Sequence, residues 1–188
     1  MVKKILSIVA WVLTAAALIV LFVFAREDYL SSPVKTVKVN IEREGDSGFI
    51  KERFLLADID KLRGNANVGT VNMLTIQKRL EAIPWVESNA SYVDLDGALC
   101  INIKEYDPVL RVFGDNGKSA YLTDDGVCIP TNRLYTPHVL VANGSFTLRN
   151  DTTAFALCDT LAEDRALIET LHLFKAIKRN DFMQSCIG

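Results

Sequence analysis

Two histidines, His138 and His172, are the side chains here best suited to moving a proton near neutral pH. They stand far apart in the chain, and neither has a nucleophile pattern beside it. There is no G-x-S-x-G, no phosphate-binding glycine loop and no H-E-x-x-H. Asp124-Asp125 has the form of an acid–base pair, but Gly126 follows it, and a turn explains adjacent aspartates better. Asp58 and Asp60 read as carboxylates on a solvated helix end. Cys100, Cys128, Cys158 and Cys186 follow one another at intervals of 28, 30 and 28 residues, without a CxxC or a flanking histidine, so zinc spacing is absent. An oxidising compartment would allow three disulfide pairings and the spacing selects none; packed apolar thiols are the favoured reading. The sequence predicts no catalytic, cofactor-binding or metal-ligating residue, and a protein with no reaction of its own.

Asn89, Asn143 and Asn150 open N-x-S/T patterns, which are glycan acceptors only in a eukaryotic secreted chain. The net charge of −2 over 188 residues, with no basic stripe, gives no electrostatic footprint for nucleic acid. No small-molecule substrate is implied either.

Binding is the remaining possibility, and the elements that would position it can be read along the chain. Residues 5–25, "ILSIVAWVLTAAALIVLFVFA", carry no charge and are long enough to cross a hydrocarbon core of about 30 Å. Lys3 and Lys4 precede the run, which predicts a cytoplasmic tail over 1–4 and export of the rest. The run exceeds the usual apolar length of a cleavable signal peptide, about 7–15 residues, although Val23 and Ala25 would suit a cleavage site. Within the span, Trp11, Thr14 and Ala15-Ala16-Ala17 would suit contact with another membrane helix. Residues 26–33 read as a polar linker.

"VKTVKVNIER" then alternates as a half-buried strand, with Val37, Val39 and Ile41 on one face. After a turn at "EGDSG", Ile50, Phe54 and Leu55 share one face of a predicted helix. Met73, Ile76, Leu80 and Ile83 mark a second helix, with Asn72 as its N-cap and Pro84 as its stop. Trp85-Val86 opens a strand that meets a two-residue hairpin at Asp96-Gly97, and Leu99, Ile101 and Ile103 line the return strand. Asn116-Gly117 and Asp125-Gly126 join three further strands into an antiparallel meander. "HVLVANG" is another strand, residues 153–179 read as a helix, and a strand opens near the end in "NDFMQSCIG". The fold class is α+β: a transmembrane helix, a strand–helix–helix–strand–strand unit over 34–106 with both helices on one face, and an antiparallel β domain with a C-terminal helix over 107–188.

Taken in order, the anchor, this unit with its "PWV" join, "IKEYDPVLRVF", "YLTDDGVCIP" and "PHVLVANG" resemble the FtsQ/DivIB family of bitopic bacterial cell-division proteins, most closely the Bacteroidetes variety. The resemblance covers residues 5–188. It implies that 34–106 is a POTRA domain and 107–188 the family's β domain, apparently missing its last strands, so that the chain is a C-terminally truncated or shortened relative. It further implies a single-pass inner-membrane scaffold at the division septum with a periplasmic bulk. The implied partners are FtsB and FtsL, with FtsK- and FtsW/FtsI-type proteins beside them, and the implied role is control of septal peptidoglycan synthesis. Two other classes fit less of the sequence: a POTRA-bearing transport or outer-membrane assembly component, and a secreted binding domain.

In the POTRA-like unit the second strand is the expected edge, and Ser88, Asn89, Ser91 and Tyr92 are the candidate partner-binding residues. Asn89 and Ser91 are expected to face outward, and Trp85 to pack on the sheet.

Overall fold

A computed structural model describes residues 2–43, 45, 48–149, 152–158 and 161–179. The chain starts with a 30-residue helix, α1 (Val2–Ser31), the one helix among the described residues long and apolar enough to cross a membrane. The expected linker is largely absent: residues 26–31 stay helical. The helix then docks directly on the body. Gly69 N–H donates to Leu30 O (2.9 Å), Val68 N–H to Ser32 O (3.0 Å), and Tyr29 Oη to Asp94 O (3.0 Å). Pro33 and Asn67 form an isolated antiparallel bridge, and Arg63 Nη1 donates to Val34 O.

The next elements are β1 (Val37–Glu42), α2 (Glu52–Arg63), α3 (Met73–Glu81), β2 (Val86–Val93) and β3 (Leu99–Glu105). They form a three-stranded sheet of order β1-β3-β2, parallel between β1 and β3 and antiparallel between β3 and β2. Leu55 and Ile59 of α2 and Ile76 and Leu80 of α3 bury against Leu99, Ile101 and Ile103. Asn72 caps α3 as expected, its Oδ1 accepting from Thr75 N–H at 3.0 Å. Phe54 departs from the predicted helical face and is 53% exposed, because α2 begins only at Glu52 and its register buries Leu55 and Ile59.

A second sheet contains β4 (Pro108–Phe113), β5 (Ser119–Thr123), β6 (Val127–Pro130), β7 (Leu140–Asn143) and β8 (Phe155–Ala156), in the order β7-β4-β5-β6-β8. The β4-β5-β6 meander is antiparallel, as its turn residues predict. β7 returns across the sheet to pair parallel with β4. One face packs on α4 (Ala162–Lys178) through Leu167, Leu171 and Phe174. The helix expected over 153–179 is shorter because Phe155–Ala156 pairs with β6 instead. Asp164, only 1% exposed, ties the start of α4 to that segment by accepting from Arg149 Nη2 (3.0 Å) and Cys158 N–H (2.9 Å). The strand expected in "NDFMQSCIG" lies outside the described residues.

The β2–β3 turn holds three residues rather than two: Asp94 and Ala98 close it, Gly97 N–H donates to Asp94 O, and Gly97 has φ +77°. That is a type I turn followed by a left-handed residue, a conformation that favours glycine.

Candidate partner-binding surfaces

Helix α3 ends at Glu81, Ile83 N–H donates to Leu80 O, and Val86 N–H donates to Ile83 O, so Pro84 turns the chain straight into β2. β2 has one partner, β3, and lies at the edge of its sheet. Its pairing slips between Val86 and Ser88, a bulge at Glu87. An extra residue moves every later side chain to the opposite face. Asn89 and Ser91 therefore stand opposite Ile103 and Ile101, on the helix-covered side and half-buried. Their expected outward orientation is corrected accordingly. Ser88 and Tyr92, with Ala90 between them, occupy the open face opposite Lys104, Cys100 and Asn102. Lys104 Nζ donates to Glu87 Oε1 across the bulge at 2.8 Å, and this bond raises the lysine pKa above its ordinary value.

Asn89 Oδ1 and Ser91 Oγ are buried with no hydrogen-bonding protein group in reach. A buried hydroxyl without a partner costs stability that an apolar side chain of like shape does not. Ser91→Ala is expected to stabilise the protein by about 1 kcal/mol. An unchanged or lowered urea midpoint would refute this account of the position.

Trp85 is packed as expected, and it also reaches the second sheet. Its ring lies parallel to that of Phe49 (6.1 Å between centroids, 4° between planes), and its Nε1–H donates to Pro130 O at 3.0 Å. Phe49 meets Tyr121 and Tyr135 edge-on at 5.8 and 5.1 Å, and its carbonyl accepts from Asn132 Nδ2 at 3.0 Å. Beneath this cluster, buried Glu105 accepts from Phe49 N–H (2.9 Å), Ile50 N–H (3.2 Å) and Arg43 Nη1 (3.4 Å). Burial raises the Glu105 pKa, opposed by the two backbone N–H donors and by Arg43. A Cβ at Gly48 would run into the Glu105 carboxylate and the Arg43 side chain, so a larger residue there requires those side chains to shift. Beside the cluster opens a groove of about 570 Å³, lined among others by Phe54, Ile83, Pro84, Trp85 and Leu134.

The residues weighed for chemistry are dispersed. His138, in the loop before β7, and His172, on α4, are both exposed, Asp124 and Asp125 sit on the β5–β6 turn, and Asp58 pairs with Arg79 Nε at 2.8 Å. Among the described residues no group of three or more His, Cys, Asp or Glu could hold a metal ion. Cys100 and Cys128 are buried and Cys158 is exposed; Cys186 lies outside the described residues. Sequence reasoning missed Phe49 and Glu105. Their partners lie 36 to 86 residues away in the chain, and only "EYDP" beside Glu105 hinted at a junction.

An apolar N-terminal helix of membrane-spanning length, leading into an α+β body of two sheets with a C-terminal helix, defines the class of protein. The particular family comes from the second half. Residues 107–187 match the family model described as FtsQ/DivIB, C-terminal related, a match that supports a relation of this part of the chain to the FtsQ/DivIB family. The match suggests a cell-division protein, and the matched family implies protein–protein interactions in the divisome. Comparison with curated proteins gives no match.

Proposed function

We propose that this chain is a non-enzymatic, single-pass inner-membrane scaffold of the bacterial divisome, with its N-terminus in the cytoplasm and its bulk in the periplasm. The observation that carries this reading is the FtsQ/DivIB-related domain at 107–187 behind a membrane-spanning-length helix. The β1-α2-α3-β2-β3 unit with sheet order β1-β3-β2 supports the reading of 34–106 as a POTRA-like domain that helps bring the protein to the septum. The domain at 107–188 would hold FtsB- and FtsL-type partners and through them bear on septal peptidoglycan synthesis. Strand addition at an open sheet edge is the recognition mode suited to such a body, since main-chain bonds supply affinity and alternate side chains supply specificity. At β2 the side chains free to specify are Ser88, Ala90 and Tyr92. Confinement of all partners to one membrane raises their effective concentration and lets a modest interface suffice.

The test is the position of an N-terminal fluorescent fusion in dividing cells of the source organism. A band at mid-cell is expected, and its loss in Leu80→Asp, which puts a charge at a fully buried site of α3, would tie recruitment to the first unit. An even envelope signal, in cells that divide normally without the gene, would rule out the division role.

A further inference from the structure

β1 runs away from the end of α1, β3 runs parallel to β1, and β2 runs back. The β2–β3 turn therefore lies at the end of the body nearest α1. It is held there by Tyr29 Oη on Asp94 O (3.0 Å) and by Lys35 N–H on Gly97 O (3.0 Å). Side chains on a helix lean toward its N-terminus, so the Tyr29–Asp94 contact lies below the Tyr29 Cα, toward Arg26. Tyr29 itself is four residues beyond Ala25, where the uncharged run stops, which is only about 6 Å along a helix. The headgroup layer on each side of a bilayer is of that same order of thickness.

Leu95 is at the tip of this turn and is 87% exposed, more than Trp11 (76%) or Phe22 (70%) of α1. A lone exposed leucine elsewhere on a surface would need no explanation; this one is positioned by two strand directions and two hydrogen bonds. Two more exposed leucines share its end of the body: Leu62 in the last turn of α2 (42%) and Leu74 in the first turn of α3 (60%). The charges around the tip are mixed: Asp94 is engaged with Leu95 N–H at 2.8 Å, Asp96 is exposed, and Lys35 lies beside them through its N–H on Gly97 O. No strongly basic patch points to anionic headgroups, so a zwitterionic lipid surface is the fitting partner.

We propose that the β2–β3 turn is a second membrane contact, with Leu95 seated at the boundary between headgroups and acyl chains of the leaflet from which α1 emerges. The proposal rests on the reading of α1 as a membrane anchor. Together the two contacts fix the tilt of the body and so the direction in which β2 presents its edge.

The test uses the full chain with Cys158→Ser and Cys186→Ser, reconstituted in phosphatidylcholine vesicles and carrying one nitroxide at Leu95→Cys. Reference labels go at Leu18→Cys on α1 and Asp115→Cys in the β4–β5 turn, which lies in the sheet that β3 leads away to. The readout is the accessibility of each label to oxygen relative to a water-soluble nickel chelate. The expected ratio at position 95 is several-fold above that at 115 and below that at 18. A ratio at 95 equal to that at 115, with 18 reading as lipid, overturns the proposal and leaves the anchor standing. A water-like ratio at 18 overturns the anchor reading and this proposal with it.

Discussion

Phe49→Ala is expected to lower the stability of the full chain by about 3–5 kcal/mol, the range for deleting a buried phenylalanine ring. Phe49 is 4% exposed and touches three aromatic rings, one from the start of β2 and two from the second sheet or the loops beyond it. Its removal leaves a void that Trp85, Tyr121 and Tyr135 cannot close together, since Tyr121 sits within a sheet and Trp85 is held by Pro130. The effect should extend beyond stability. With the ring in place the two sheets share one hydrophobic cluster, in which Tyr121 and Ile129 join the residues of the first unit. Without it, urea should change Trp85 fluorescence before far-ultraviolet circular dichroism is lost, whereas the parent protein should lose both together. A loss below about 1 kcal/mol, or coincident transitions in the variant, would show that the ring does not couple the sheets.

Glu105 carries the second large effect. Glu105→Ala strips the acceptor from two backbone N–H groups and from Arg43, and is expected to cost on the order of 3 kcal/mol. Its pH dependence has the opposite sign to that of most paired carboxylates. Burial raises the folded-state pKa above the ordinary 4.5, so the folded protein binds this proton more tightly than the unfolded chain does. The Glu105 contribution to stability is therefore greatest below the ordinary value, falls as pH rises through the raised one, and is level above it. Glu105→Gln cannot titrate, and its amide places an NH₂ against a backbone donor, so it should be less stable than the parent yet lack this slope. Denaturant midpoints of both proteins across the acid range check it: a parent-minus-variant difference that grows with pH would contradict the assignment.

Local signals carried much of this fold in the sequence. Alternation in "VKVNIE" specified β1, Asn72 and Pro84 bracketed α3, and glycines at 97, 117 and 126 marked the turns between strands. All of these act over a few residues, the range in which propensity and periodicity operate. The bulge at Glu87 escaped notice because it arises from pairing geometry, and that single slip reversed the faces of Asn89 and Ser91 while leaving β2 at the sheet edge. Phe49 was hidden for a different reason. It follows a polar stretch that reads as a turn, and its importance depends on Trp85, Tyr121 and Tyr135 arriving from distant parts of the chain. Glu105 falls by alternation on the face of Leu99, Ile101 and Ile103, but nothing near it in sequence shows which donors meet a carboxylate there. Its burial shows only once the loop carrying Phe49 folds over it.

The unbroken passage from α1 into the body also gives the molecule a heading. A flexible tether would let the two-sheet body swivel and sample every azimuth around α1. Here Leu30, Ser32 and Tyr29 clamp the last turn of the helix to the α2–α3 loop and to Asp94. Adding a single residue within Arg26–Ser31 would swing the body by about 100° and raise it by about 1.5 Å, the screw step of an α-helix. The length of that short stretch thus acts as a compass setting, and whatever grips the rotational face of α1 steers the body.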